Sequence, residues 1–284
     1  MRIETDKEVD KMACNHNCSS CNQHCDERTS ESLLVETAKE NHIKKIIGVV
    51  SGKGGVGKST VTSMLAVEMA KRGFKVGIMD ADITGPSIPK AFGIKQEVVG
   101  NGTLMFPPLS KTGIKVISVN LLIDDPTKPV LWRGPILGGA VKQFYTDVLW
   151  EELDFLFVDM PPGTGDVALT VFQSLPVDGV VMVSTPQDLV SMIVGKAVHM
   201  CSAMHVPVLG LVENMSYFSC PHCQEKLYPF GTSKLQEVAE TYGLAALDCL
   251  PIESKTALLM DEGNIEEADT SVLTKTAVLL EQLL

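Results

Sequence analysis

"GVVSGKGGVGKST", residues 48–60, is the stretch whose reading decides the fold. Gly52-Lys53-Gly54-Gly55-Val56-Gly57-Lys58-Ser59 fits G-x-x-x-x-G-K-[ST], the pattern of a phosphate-binding loop. That pattern carries meaning only between a strand and a helix, and both neighbours are legible. Residues 44–50, "KKIIGVV", are a short apolar run of the kind buried on both faces of a parallel sheet. Residues 58–72 place Val61, Met64, Leu65 and Met69 at helical spacing, and Gly73 follows as a stop. The glycines let backbone N–H groups turn inward on phosphates, and the helix N-terminus adds its partial positive charge. Lys58 is expected to reach the β- and γ-phosphates and Ser59 to coordinate Mg²⁺, with Thr60 completing the loop's contacts to ATP.

Working outward, the same alternation continues. "FKVGIMD" (74–80), "GIKVISVN" (113–120), "LDFLFVD" (153–159), "GVVMVST" (179–185), "VPVLGLVEN" (206–214) and "LDCLPI" (247–252) read as strands. Helical patterns lie between most of them, at 136–149, 166–175, 188–204, 232–242 and 270–284. Strand and helix alternating in this way imply an α/β fold, a P-loop NTPase with a mostly parallel sheet covered by helices on both faces. That domain is expected over 41–284. Residues 1–40 are polar and rich in cysteine and read as a separate tail and linker, with room for one short helix in 26–42.

The bulk numbers narrow the function. The chain has 284 residues, 45% of them hydrophobic, enough for a sizeable core. Its formal net charge is −11, which opposes non-specific nucleic-acid binding and docking on an anionic membrane. No window offers about 18 consecutive apolar residues, and "MRIETDKEVDKMAC" lacks the apolar segment of a signal peptide. A cytoplasmic location is therefore expected, with no membrane and no nucleic acid among the partners. In a reducing compartment, closely spaced cysteines point to metal or redox chemistry rather than disulfides.

Three aspartates fall where such sheets place their sites, at the carboxyl ends of strands. Asp159 ends "LDFLFVD" and fits an acid holding Mg²⁺ through water. Asp80 and Asp82 follow the second strand in "IMDADITGPSIP", and the residues alone do not decide which of them acts on water. Gly163, in "MPPGTGD", is expected to present its N–H to the γ-phosphate, its missing side chain allowing close approach.

The eight cysteines fall into three groups. Cys220 and Cys223, in "SCPHCQ", form a C-x-x-C pair, half of the four ligands that a zinc ion or an iron–sulfur cluster usually takes. Cys14, Cys18, Cys21 and Cys25 sit within twelve residues of the tail, dense enough to wrap a [4Fe–4S] cluster or to bind zinc, or to serve as redox-sensitive thiols. Cys201 and Cys249 lie in apolar surroundings and read as buried structural thiols. His42, His199 and His205 show no partner spacing and read as surface or satisfied core residues, while His16, His24 and His222 are minor ligand candidates.

"SGKGGVGKST", "DADITGPSIP", "DMPPGTGD", "ENMSYFSCPHC" and "FGTSK", in this order, resemble the Mrp/ApbC-type iron–sulfur carrier ATPases over about residues 40–284. The resemblance implies a deviant Walker A loop, in which Lys53 contacts the nucleotide of the opposite subunit of a homodimer. It implies that Asp82 lies near the attacking water, that Asp80 is nearer the metal shell and that Asn214 reads adenine. It further implies that Cys220 and Cys223 of two subunits hold a labile [4Fe–4S] cluster, delivered to apo iron–sulfur proteins with the help of slow ATP hydrolysis. The tail's C-x₃-C-x₂-C-x₃-C departs from the wider spacing of the eukaryotic relatives, which leaves a second cluster, zinc or free thiols open there. Three other readings are consistent with parts of the chain. One is a MinD/ParA-like partition ATPase. Another is an electron-transfer ATPase like the nitrogenase iron protein, whose cysteines lie far apart in sequence. The third is an ATPase with a structural zinc shared between Cys18/Cys21 and Cys220/Cys223.

Overall fold

A computed structural model describes residues 33–83, 85, 87–122, 134–187 and 192–284. The four tail cysteines, with His16 and His24, lie outside the described residues. The compact unit runs from Leu33 to Leu284. Among the described residues, ten strands and eight helices build it: β1 (His42–Ser51), α1 (Lys58–Lys71), β2 (Val76–Asp80), α2 (Ile88–Ala91), β3 (Val99–Gly100), β4 (Met105–Phe106), β5 (Lys115–Ser118), α3 (Gly134–Thr146), β6 (Glu152–Asp159), α4 (Asp166–Ser174), β7 (Gly179–Ser184), α5 (Met192–Ala203), β8 (Val208–Ser219), β9 (Lys226–Leu227), α6 (Leu235–Tyr242), β10 (Ala246–Pro251), α7 (Ser254–Glu262) and α8 (Thr274–Glu281).

Seven strands form a parallel sheet in the order β10-β8-β7-β1-β6-β2-β5, so the chain leaves β1 in one direction and later returns to fill the other side. That reversal beside β1 is a topological switch point, where such sheets bind ligands at the strands' carboxyl ends. Alternation along β1 divides the core in two. Ile46 and Val50 join the cluster formed with α3, α4, α5 and α6, while Ile47 and Val49 join the one formed with α1, α2, α7 and α8. A central strand buried on both faces has no polar side, which is why "KKIIGVV" reads as a continuous apolar run. The predicted anchors of α1, Val61, Met64, Leu65 and Met69, are all buried.

Several expectations change. Residues 33–41, read as linker, are tied to the domain. Val35 donates its N–H to Ser174 O, and Asn41 accepts from Trp150 N at 2.7 Å and Glu151 N at 2.9 Å while donating to Val148 O at 2.8 Å. The strand expected over 113–120 shortens to four residues because Ser118 Oγ accepts from Asn120 N and starts a 3-10 turn. The strand expected to end at Asn214 runs on to Ser219, directly into Cys220. Helix α7 was not anticipated. Its buried face is confined to Thr256 and Leu259, and its clearest signal is Gly263, a left-handed stop at φ 76°. The short β3–β4 hairpin was likewise unforeseen. The C-terminal helix α8 buries Thr276, Ala277 and Leu280 in the domain. None of the described helices is long and apolar enough to cross a membrane.

Candidate functional site

Strand register places the acids. Asp80 sits opposite Asp159 on one side and Ser118 on the other, and Asp159 sits opposite Val49 at the end of β1. The phosphate-binding loop leaves β1 over this row. Asp159 is fully buried and accepts three bonds: from Lys58 Nζ at 2.7 Å and Thr62 Oγ1 at 2.8 Å on Oδ1, and from Ser59 Oγ at 2.6 Å on Oδ2. Lys58 Nζ also lies 3.7 Å from Asp82 Oδ2. Lys58, Ser59, Asp82 and Asp159 are thus brought together as the sequence predicts.

One lysine faces three carboxylates, and the imbalance shows in Asp80. Burial, and then the charge of Asp159, push its carboxyl up to about 8, with Lys58 pulling the other way. Its two bonds, from Asp82 N and Ser118 Oγ, are both long at 3.2 Å. Asp80 is thus held toward its protonated form, and a cation joining the cluster would favour the ionised one.

The loop itself has an open anion site. Gly57 ends it at φ 80° and precedes α1 with no side chain capping the helix and no acid in its first turn. A Cβ on Gly57 would lie 2.2 Å from Asn214 Nδ2, so only glycine fits. Gly54 and Gly55 are exposed, and a Cβ on Gly55 would meet nothing within 4 Å. A glycine-rich loop, an uncapped helix start, Lys58 and a hydroxyl beside two acids suit a nucleotide's phosphates and Mg²⁺. Lys53 is exposed on the loop's outer face, its carbonyl accepting from Ser51 Oγ at 3.0 Å. Gly163 sits across from the loop's start, its N–H donating to Ser51 O at 2.9 Å.

Asn214 anchors the other end of the site. Its Nδ2 donates to Val56 O at 2.9 Å, joining β8 to the loop. Beside it opens a cavity of about 490 Å³, lined by Thr60, Met64, Asn214, Met215, Phe230 and Ile252 among others, within the size range of small-molecule sites. Sequence reasoning missed Thr62, Ser118, Phe230 and Ile252. Thr62 had a signal, since it lies four residues after Lys58 on the same helix face in an otherwise apolar run.

The cysteine pair tops a hairpin. Phe218 and Ser219 of β8 pair antiparallel with Leu227 and Lys226 of β9. Within the turn, Cys220 N donates to Glu225 O and Gln224 N donates to Cys220 O, both at 2.9 Å, and Gln224 takes the left-handed φ of 61° that closes the loop. Backbone N–H groups of Cys223 and His222 point at the Cys220 sulfur and lower its pKa, which favours the thiolate that binds metal. Among the described residues no group of three or more His, Cys, Asp and Glu side chains is placed to hold a metal, so the pair stands as a half-site. Cys201 is buried and its thiol is pushed up to about 11 by desolvation, whereas Cys249 is only partly buried, its Sγ 3.8 Å from Ser233 Oγ. His42, His199 and His205 are exposed.

Known proteins match this arrangement. An iron–sulfur cluster carrier protein of Clostridium perfringens is 49% identical over 234 residues, spanning 80% of this chain and 82% of its own. A nucleotide-binding protein of Archaeoglobus fulgidus, solved in complex with ADP and with cobalt found, is 45% identical with a TM-score of 0.72, over 80% of this chain and 89% of that one. The cell-division ATPase MinD of Pyrococcus furiosus shares the fold at 20% identity and a TM-score of 0.60, over 85% of this chain and 100% of that one. The family described as ParA: NUBPL iron-transfer P-loop NTPase matches residues 42–283, and the chain belongs to it.

Proposed function

We propose that this chain is an ATP-dependent iron–sulfur cluster carrier that works as a homodimer, taking up a [4Fe–4S] cluster at paired Cys220–Cys223 hairpins and passing it to apo iron–sulfur proteins. The observation that carries the reading is the hairpin. A strand that passes the cavity at Asn214 and Met215 runs on to Ser219, directly into a C-x-x-C turn closed by pairing with β9. Two thiolates are half of what a cluster takes, and a two-fold axis supplies the other half. The relatives' names support the carrier reading, and Lys53, exposed within the phosphate loop, is placed where a second subunit could meet it. The MinD likeness supports the fold alone.

In this reading the base occupies the cavity beside Asn214, and the phosphates lie over Gly52–Thr60. Ser59 and Asp159 would hold Mg²⁺, which neutralises charge on the phosphates. Lys58 exchanges its bond to Asp159 for phosphate oxygens. Asp82 orients water for attack on the γ-phosphorus, and the bond to the β–γ bridging oxygen breaks to leave ADP and phosphate. Residues 160–166 rearrange so that Gly163 N–H leaves Ser51 O for the γ-phosphate, the kind of loop movement nucleotide switches use. Hydrolysis is slow, serving as a switch for cluster transfer. Cys14, Cys18, Cys21 and Cys25 form a separate site, holding a second cluster or zinc.

Anaerobic reconstitution with iron and sulfide tests this, with iron counting and sedimentation of the wild type, Cys220→Ala/Cys223→Ala and a variant lacking the four tail cysteines. About four irons per dimer lost with the hairpin cysteines is the expected result. A zinc-loaded monomer without iron-dependent visible absorption would overturn the carrier reading. Iron remaining after loss of the hairpin pair but not after loss of the tail cysteines would place the cluster in the tail alone.

A further inference from the structure

Residues 221–234 form an exposed flap between the cysteine hairpin and α6. Cys223 stands near its start and Phe230 near its end. Among the cavity's lining residues, Phe230 alone comes from the flap. A second cleft of about 470 Å³, lined by Phe218, Leu227, Tyr228, Pro229 and Ile252, lies under the hairpin. Ile252 belongs to both, so the cavity beside Asn214 and the cleft against the β8–β9 pair share a lining residue.

Two routes of direct contact follow. Ile252 N donates to Tyr217 O at 2.7 Å, Pro251 pairs with Tyr217, and Lys226 of β9 lies 4.0 Å over the Tyr217 ring. On the other route Phe230 is held by a turn in which Gly231 N donates to Tyr228 O at 3.1 Å, and Tyr228 follows Leu227, the last paired residue of β9. Both routes end at the base of the hairpin. The flap is exposed along its length and held by few bonds, which is the condition for local opening.

We propose that Phe230, with Ile252, is a positioning residue that links occupancy of the base cavity to the geometry of the Cys220–Cys223 hairpin. An aromatic ring in the cavity wall gains contact with a purine base only when the flap is closed. Bound nucleotide therefore favours the closed flap, and the flap carries the hairpin with it. Differential contact of this kind is what lets a ligand shift a conformational equilibrium at all. The inference rests on the proposed placement of the base and names how the nucleotide reaches the cysteine pair.

The test uses the full metal-free chain under reductant. Alkylation rates of Cys220 and Cys223 by iodoacetamide are read by peptide mass spectrometry with and without saturating ADP, and ADP binding is measured separately by calorimetry. Cys201 serves as the buried control. In the wild type, ADP is expected to slow alkylation of the pair by roughly two- to tenfold, the range of a single aromatic contact. In Phe230→Ala the ADP effect falls to within about 1.5-fold of none while ADP still binds, and Ile252→Ala diminishes it. A wild type that binds ADP without any change in the pair, or a Phe230→Ala variant that keeps the full effect, overturns the inference. Should Phe230→Ala fail to fold or to bind ADP, Phe230→Leu keeps an apolar wall without the ring and is judged by the same outcomes. No iron is involved, so failure of the carrier reading would show as reconstitution without iron while this nucleotide effect persists.

Discussion

Asp80→Asn should stabilise the nucleotide-free protein, and by an amount that grows with pH. Asp80 is fully buried beside Asp159, and its carboxyl is raised from 3.8 to about 8, chiefly by burial and then by its neighbour's charge. A carboxyl with a higher pKa in the folded chain takes up a proton on folding. Its contribution is complete below about pH 4 and is lost as the pH climbs toward 8. Between pH 5 and 8 that spans about 3 pH units at about 1.4 kcal/mol each, a ceiling of about 4 kcal/mol. Relaxation around the ionised group takes up part of it, so about 2–4 kcal/mol is expected. Asparagine matches the protonated acid in shape. It keeps an acceptor for Asp82 N and offers Ser118 Oγ a donor in place of the present 3.2 Å bond. Urea denaturation of wild type and variant at several pH values measures the difference directly. The two should nearly coincide only below about pH 4, differ modestly at pH 5 and diverge further by pH 8, and adding Mg²⁺ with nucleotide should narrow the gap by favouring the ionised acid. A difference that stays flat across this range would refute the reasoning, because it would mean that Asp80 is already ionised at pH 5 in the folded chain.

Gly57→Ala should cost about 2–4 kcal/mol in urea denaturation, about 1 for the left-handed backbone and the rest for driving Asn214 off Val56 O and leaving a buried amide unpaired. It should also weaken adenine-nucleotide binding in calorimetry, since Asn214 leaves the cavity wall. Thr62→Val removes one of three donors to the buried Asp159 and should lower stability by about 1.5–3 kcal/mol, with nucleotide affinity changed less than in Lys58→Ala. Lys53→Ala, at an exposed position, should leave the denaturation midpoint within about 0.5 kcal/mol of wild type while abolishing ATP-dependent dimerisation in sedimentation.

Most of the sheet was legible because its central strands are buried on both faces, so runs such as "LDFLFVD" stand out against their flanks. The active end was legible for a related reason. Chemistry at a strand's carboxyl end needs its residue at the last position of an apolar run, and Asp80 and Asp159 both stand there. What escaped was set by contacts distant in sequence. The fact that Asp80 and Asp159 are register partners, and so burden one another, follows from β2 lying beside β6, an order that local pattern does not carry. The engaged N–H of Gly163 depends on where β1 ends. The continuation of β8 was hidden by Met215, whose left-handed φ of 55° interrupts the alternation. The base cavity draws its wall from the flap and from the turn after β10, segments whose apolar residues read alone as ordinary exposed or turn positions.

The course of β8 explains how one strand serves both ends of the proposed reaction. From Asn214 to Cys220 is six residues, about 20 Å of extended chain. Its inner half is clamped. Leu211, Val212 and Glu213 pair with β7, and Leu211 and Glu213 pair with β10 on the other side. Asn214, the proposed base-reading residue, thus follows a part of the sheet that is held on both flanks. At Glu213 the pairing with β7 stops, and the kink at Met215 follows at once. Beyond it β8 keeps only Tyr217 against β10 and the two-residue pairing with β9. A strand loses stiffness when it loses neighbours, so the outer half can tilt while the inner half stays fixed. In the proposed function, nucleotide held beside Asn214 meets the clamped half of the strand, which resists displacement. In the proposed function a displacement of the hairpin enters from the side of the outer half, where Pro251 and Ile252 meet Tyr217 and also line the cavity, and through the flap, which adds Phe230.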